Sequence, residues 1–144
     1  MSDTTAVGPL GLHVGQRARR TQTVTPRHLE LYAEITGDRN PLHFDADFAA
    51  RTRFGRLVAQ GGITAGMLNA LVAMDMPGAG TVFMSQSLKY LAPAYVGDTL
   101  TAEAEVLGLK PDKPVCQLKV TVVNQAGATL LEGECWTYTL RPEP

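Results

Sequence analysis

The segment GDRNPLHFD, residues 37–45, holds side chains that can bind and transfer protons within a few positions of one another. Asp38 and His43 would lie roughly 16 Å apart on a fully extended chain. Pro41 lacks an amide hydrogen and restricts Asn40, so the chain bends here and cannot form a regular helix. A bend can bring the carboxylate and the imidazole onto one water molecule, and such a pair moves protons in both directions near neutral pH. The alternative interpretation is a surface loop with an exposed histidine.

A second candidate site is the Gly61–Gly62 pair at the start of a long uncharged segment. The first amides of a helix have no internal hydrogen-bond partner and carry partial positive charge. Glycine lets a ligand approach that backbone closely, so the pair could bind an oxyanion. Tight helix packing is the alternative. Two glycines do not match a phosphate-binding loop, so a nucleotide fold is not indicated.

The elements that position these residues follow from local patterns. Thr25 and Pro26 predict the start of a helix, and Gly37 predicts its end. A short helix should begin at Asp45 and stop at Gly55. A long helix should follow over residues 60–78, and its lack of charge requires cover nearly all round, from a curled sheet and a partner subunit.

Five strands are predicted around these helices from period-two alternation and turn residues. They fall within residues 13–25, 81–93, 97–109, 113–127 and 128–140. One strand, then helices, then four strands indicate an α+β fold with an antiparallel sheet.

Composition limits the class of protein. The 144 residues fit a single domain over residues 1–144, and a hydrophobic fraction of 44% supports a packed core. A net charge of −1 gives no reason to expect nucleic acid. The uncharged stretch from Leu57 to Met74 contains too many glycines and polar residues for a membrane span. The N-terminus shows no secretory pattern, so we expect a cytoplasmic protein with Cys116 and Cys135 as free thiols.

Three segments resemble the MaoC-like (R)-specific enoyl-CoA hydratases: TGDRNPLHFDADFA, FGRLVAQGGITAG and QSLKYLAPAYVGDTLTAEAEV. The resemblance implies a hot-dog fold, in which an antiparallel sheet wraps around one long helix. It implies a homodimer with a continuous sheet and an acyl-CoA thioester substrate. The reaction would add water to a trans-2-enoyl-CoA to give the (R)-3-hydroxyacyl-CoA. No cofactor is expected, since coenzyme A is part of the substrate.

Residue by residue, the resemblance assigns the catalytic acid/base pair to Asp38 and His43. Gly61 matches the glycine whose amide holds the thioester oxygen. Asn40 matches an asparagine of the active-site loop and is expected to contact the substrate.

Three further positions depart from the family pattern and are expected to affect substrate binding. Gln60 replaces a common histidine, Gly62 removes a side chain beside the carbonyl pocket, and Asn69 replaces a small hydroxyl residue.

Other functions remain open at this point. A thioesterase or a carrier-protein dehydratase would use the same fold, with water aimed at the carbonyl carbon in the first case. A non-catalytic acyl-thioester-binding subunit would not need the Asp38–His43 pair. A metal site formed by Asp38, His43, Asp45 and Asp47 is a further, less favoured interpretation.

Overall fold

A computed structural model describes residues 5–143 and shows one long helix packed against a five-stranded antiparallel sheet. The predicted α+β class is confirmed. In chain order the elements are β1 (Arg17–Thr23), α1 (Pro26–Thr36), α2 (Pro41–Phe44), α3 (Ala46–Ala50), α4 (Gly61–Met74), β2 (Thr81–Tyr90), β3 (Thr99–Leu109), β4 (Val115–Val123) and β5 (Thr129–Thr139).

The strand order is β1-β3-β4-β5-β2. The last three strands form consecutive hairpins, while β2 pairs with β5 at one edge and β1 pairs with β3 at the other. The alternating patterns predict the strands themselves but not this order, because β2 lies three strands away from the strand that follows it in the chain. The outer edge of β2 has no partner strand among the described residues.

The sheet has one apolar face and one charged face. On β3, Leu100, Ala102, Ala104 and Val106 are fully buried, and they alternate with polar residues. The polar positions form ion pairs across the outer face, such as Arg17 to Glu105 at 2.7 Å. Because side chains alternate along a strand, this pattern places the whole core on one side of the sheet.

Helix α4 lies across that apolar face and contacts all five strands. Met67, Leu68, Leu71 and Val72 form its buried side. The opposite side is open within one chain, where Met74 is 68% exposed. The sequence predicts cover nearly all round, and a single chain supplies only part of it. Among residues 5–143, no helix has both the length and the apolar composition needed to cross a bilayer.

Helix α1 begins and ends where the sequence predicts. The Thr25 hydroxyl accepts from the amide of His28, and the His28 ring accepts from the amide of Thr25. Gly37 adopts φ 82° and donates its amide to the carbonyl of Ala33, which ends the helix. Asp38 is therefore placed directly after a well-defined helix terminus.

The two thiols, which the sequence predicts to be free, are buried and unbonded to each other. Burial raises the pKa of Cys116 to about 12, with a smaller contribution from the nearby Cys135. Burial likewise raises the pKa of Cys135 to about 11. Both groups stay protonated at neutral pH and belong to the core.

Candidate active site

The bend after α1 brings Asp38 and His43 together. Oδ2 of Asp38 lies 3.7 Å from Nε2 of His43. This distance exceeds a direct hydrogen bond, so both atoms can also bond to a third group such as a water or a substrate oxygen. The Asp38 side chain is 41% exposed and that of His43 is 10% exposed, so solvent reaches the pair from the side of Asp38.

A single helical turn inside this bend holds His43. The sequence predicts no regular helix here, whereas α2 occupies Pro41–Phe44. Asn40 caps the turn, because its side-chain oxygen accepts from the amide of Leu42 at 3.0 Å. Pro41 occupies the first helical position, where a missing amide hydrogen costs nothing. The proline prevents α1 from continuing and also starts α2.

The tautomer of His43 is fixed by the main chain. Its Nδ1 lies 2.7 Å from the carbonyl oxygen of Val58. A carbonyl can only accept, so Nδ1 carries the proton. In the neutral ring the lone pair is then on Nε2, the atom that faces Asp38. This is the arrangement that a proton acceptor at the pair requires.

Asp38 is held at several points. Its amide donates to the hydroxyl of Thr36 at 3.1 Å, and its Oδ1 accepts from the amide of Asn40 at 3.2 Å. The adjacent Arg39 pairs with Glu30 at 3.2 Å and leaves the carboxylate of Asp38 to the imidazole. Asn40, which the resemblance assigns to substrate contact, therefore has a demonstrable role in shaping the loop.

The start of α4 offers free backbone donors. Gly61 is its first residue, and the preceding Gln60 provides no side-chain cap. The amides of Gly61 and Gly62 donate to no group in the part of the chain that the structure describes. Such amides attract a developing negative charge, as the sequence predicts for Gly61.

Gly61 opens onto a cleft of about 280 Å³, whose lining also includes Arg53, Phe54, Thr64 and Tyr90. His43 opens instead onto a smaller apolar cavity of about 150 Å³. The segment between them contributes Leu57 to the smaller cavity, and Val58 and Ala59 to the cleft. Within one chain, His43 and Gly61 thus line two different cavities, and residues 57–59 contribute to both.

The space beside the two glycines is already occupied by tyrosines. A Cβ on Gly61 would lie 3.1 Å from Cε1 of Tyr90. A Cβ on Gly62 would collide with the hydroxyl end of Tyr32. The sequence comparison indicates that Gly62 removes a side chain beside the carbonyl pocket, and in the structure the ring of Tyr32 fills the space next to this glycine.

Neither Gln60 nor Asn69 lines the cleft beside Gly61. Gln60 is 1% exposed, and its Nε2 donates to main-chain carbonyls beneath the loop. Asn69 follows Gly61 by eight residues on α4, or about 12 Å along the axis. It accepts a hydrogen bond from Gln86 on β2 at 2.9 Å, on the open side of the helix.

A metal centre is not supported by the ligand geometry. Within residues 5–143, no group of three His, Cys, Asp or Glu side chains is arranged to hold a metal ion. Asp45 caps α3 instead, and its Oδ1 accepts from the amide of Phe48 at 3.1 Å.

The sequence interpretation missed several residues of this site. Val58 acts through its carbonyl, which no side-chain pattern can indicate. Thr36 acts through a local turn. Gly61 and Gly62 gave an indirect signal for Tyr90 and Tyr32, because glycine permits another group to approach the backbone closely.

Comparison with known proteins identifies the family. Residues 11–129 match the MaoC like domain. The (R)-specific enoyl-CoA hydratase of Aeromonas caviae is 38% identical over 123 residues, which cover 85% of this chain and 92% of that protein. The 3-hydroxybutyryl-CoA dehydratase of Methylorubrum extorquens is 42% identical over 103 residues, covering 72% of this chain and 65% of the relative.

A solved structure agrees with these matches. The (R)-hydratase from A. caviae involved in PHA biosynthesis superposes with a TM-score of 0.86 and 36% identity, covering 90% of this chain and 98% of that one. By the extent of these matches, the chain belongs to the MaoC-like dehydratase family of hydro-lyases and has the hot-dog fold.

Proposed function

We propose that this protein is an (R)-specific 2-enoyl-CoA hydratase, which adds water to a trans-2-enoyl-CoA and catalyses the reverse dehydration. The observation that carries the proposal is the Asp38–His43 pair, in which a free Nε2 faces a carboxylate oxygen at 3.7 Å. An acyl-thioester-binding subunit without chemistry has no use for this arrangement.

The electrophile would be created at the start of α4. The thioester oxygen of the substrate accepts a hydrogen bond from the amide of Gly61, which has no competing acceptor in the described chain. Charge drawn onto this oxygen makes C3 of the enoyl group electrophilic, and the helix dipole stabilises the resulting enolate. The protein's own groups supply this stabilisation without a cofactor.

The proton transfers would use the pair as a unit. His43 takes a proton at Nε2 as the water oxygen attacks C3. This proton moves from Nε2 to Oδ2 of Asp38, which delivers it to C2, so the imidazole and the carboxylate return to their starting states.

The test is incubation of the purified protein with crotonyl-CoA. Loss of the enoyl absorbance without release of free thiol is expected, together with chirally pure (R)-3-hydroxybutyryl-CoA. Release of free thiol would instead assign a thioesterase. Loss of absorbance with an acyl-carrier-protein thioester but not with the CoA thioester would assign a carrier-protein dehydratase.

The role of Gly61 can be tested against a matched glycine of the same helix. Gly61→Val places a side chain against Tyr90, because its Cβ would lie 3.1 Å from Cε1 of that ring. Loss of one oxyanion donor costs roughly two to three powers of ten in kcat. Gly66→Val is the control, since a Cβ at Gly66 meets nothing within 4 Å. If Gly61→Val turns over crotonyl-CoA at the rate of Gly66→Val and of the parent, the thioester oxygen is bound elsewhere.

The proposal also includes a homodimer and a cytoplasmic location. One edge of strand β2 pairs with no strand of residues 5–143, and Val82, Met84 and Tyr90 on β2 are 47%, 60% and 58% exposed. Two such edges could pair and form a continuous sheet in a homodimer, which would also cover the open side of α4. A cytoplasmic location remains a prediction from the sequence. Light scattering after size exclusion tests the dimer, and a monomeric protein at working concentration would refute it.

A further inference from the structure

The side chain of Gln60 is turned away from the cleft and into the protein. Its Nε2 donates to the carbonyl of Leu29 at 3.0 Å and to the carbonyl of Asp38 at 3.4 Å. Both acceptors are main-chain oxygens, so the amide nitrogen must point toward them. Gln60 thereby joins α1 and the loop that carries the acidic residue.

Stability alone does not account for a glutamine at this position. Its Oε1 is buried and has no hydrogen-bond partner within residues 5–143. A buried acceptor left unpaired is unfavourable, whereas an apolar side chain of similar shape would carry no such penalty. The side-chain amide of Gln60 is thus explained better by the hydrogen bonds that its nitrogen donates than by its contribution to folding.

Nε2 of Gln60 donates to the main-chain carbonyl of Asp38, the polar group of this residue's main chain that is not hydrogen-bonded within the loop. The amide of Asp38 is bonded to Thr36, and its Oδ1 is bonded to the amide of Asn40. The carbonyl is bonded to Gln60. Since Gln60 directly precedes Gly61, the same residue is tied to the acid on one side and to the free helix amides on the other.

We infer that Gln60 is a positioning residue, which fixes the carboxylate of Asp38 relative to the amide of Gly61 without touching the substrate. This inference rests on the hydratase function proposed above and replaces the expectation that Gln60 binds substrate. The proton donor and the oxyanion donor act on atoms of one substrate, so their separation must be held within a fraction of an ångström.

The main test is Gln60→Met, which keeps an unbranched side chain and removes both the donor and the unpaired acceptor. We expect kcat for crotonyl-CoA to fall about 10- to 100-fold, the range for small misplacements of reacting groups, with KM within about twofold of the parent. The melting temperature should be equal or higher. Gln117→Met is the matched control, because the Gln117 amide bonds only to the exposed Glu134 on the outer face of the sheet.

A second measurement does not depend on turnover. Amide hydrogen exchange at Asn40, whose N–H donates to the Asp38 carboxylate, should become about tenfold faster in Gln60→Met. Exchange at Leu68 in the buried side of α4 should not change. If the parent protein is inactive on every enoyl thioester, the proposed function is wrong. Faster exchange at Asn40 in Gln60→Met would still support the positioning of the Asp38 loop by the Gln60 side chain.

Three results would overturn the inference. A rise in KM with unchanged kcat would return Gln60 to substrate binding. Parent-like kcat and parent-like exchange would show that the loop holds its own shape. A Gln60→Met protein that does not fold would make the amide a structural group.

Discussion

The contact between Gly62 and Tyr32 gives a prediction whose size follows from the structure. In Gly62→Ala the new Cβ would overlap the hydroxyl end of Tyr32, so the ring must leave its place against α4. Tyr32 lines an apolar groove of about 230 Å³ between α1 and α4, together with Leu31, Ile63 and Met67. Overpacking costs about 1–3 kcal/mol.

Two effects reduce that cost. The displaced ring is only half-buried and can turn toward solvent, and alanine is a better helix former than glycine by up to about 1 kcal/mol. We therefore expect a net loss of about 1–2 kcal/mol in the free energy of unfolding. For a domain of this size, the melting temperature should fall by roughly 2–8 °C.

A double-variant cycle measured by urea unfolding separates the clash from other effects. Tyr32→Ala loses the packing of the ring, but Gly62→Ala added to it should cost nothing further. The coupling free energy between the two sites should be at least about 1 kcal/mol, as for side chains in direct contact. A Gly62→Ala protein as stable as the parent would refute the reasoning, since the ring would then have no fixed place.

Three more predictions concern the reaction, the core and the thiols. Asp38→Asn and His43→Ala should each lower the rate of crotonyl-CoA hydration at least about a hundredfold without lowering the melting temperature. Leu71→Lys, which puts an unpaired charge at a fully buried position, should cost several kcal/mol in urea unfolding, whereas Ile35→Lys on the exposed side of α1 should be nearly neutral. Both buried thiols have pKa values raised from 9.0, to about 12 and about 11, so their contribution to stability is complete below about pH 9 and is lost as pH rises through the folded values. The variant with valine at both positions should lose less stability than the parent between pH 9 and 11, as measured by unfolding at each pH.

Each of these expectations has a result that contradicts it. Hydration at the parent rate by either folded variant would remove that residue from the pair. Equal unfolding curves for Leu71→Lys and Ile35→Lys would show that α4 does not form the core. Identical pH dependence with and without the thiols would mean that they are not desolvated as their burial indicates.

Much of the fold could be predicted because its signals are local. Thr25, Pro26 and Gly37 bound α1 through caps that involve residues close in the chain. The alternation in β3 predicts one buried face. The position of β2 beside β5 could not be predicted, since strand order depends on contacts between distant segments.

The site divides in the same way. Asp38, His43 and Gly61 are indicated by residue type and spacing, and the bend places the first two side by side. The direction of the Gln60 side chain depends on carbonyls 22 and 31 residues away, so no local pattern predicts it. The helical turn in the bend is not predicted from the sequence, because Pro41 both prevents α1 from continuing and serves as the first residue of α2.

The contact between His43 and Val58 has a consequence for how sequences of this kind can change. The hydrogen-bond partner of the imidazole is a main-chain oxygen. The position of the main chain at residue 58 therefore determines the tautomer, and the identity of its side chain does not. Substitutions at position 58 that keep that path leave the chemistry of the ring untouched. An insertion or deletion between residues 44 and 57 is different, because it would shift the carbonyl out of reach of Nδ1. As far as the tautomer of His43 is concerned, this segment is therefore constrained in length rather than in composition.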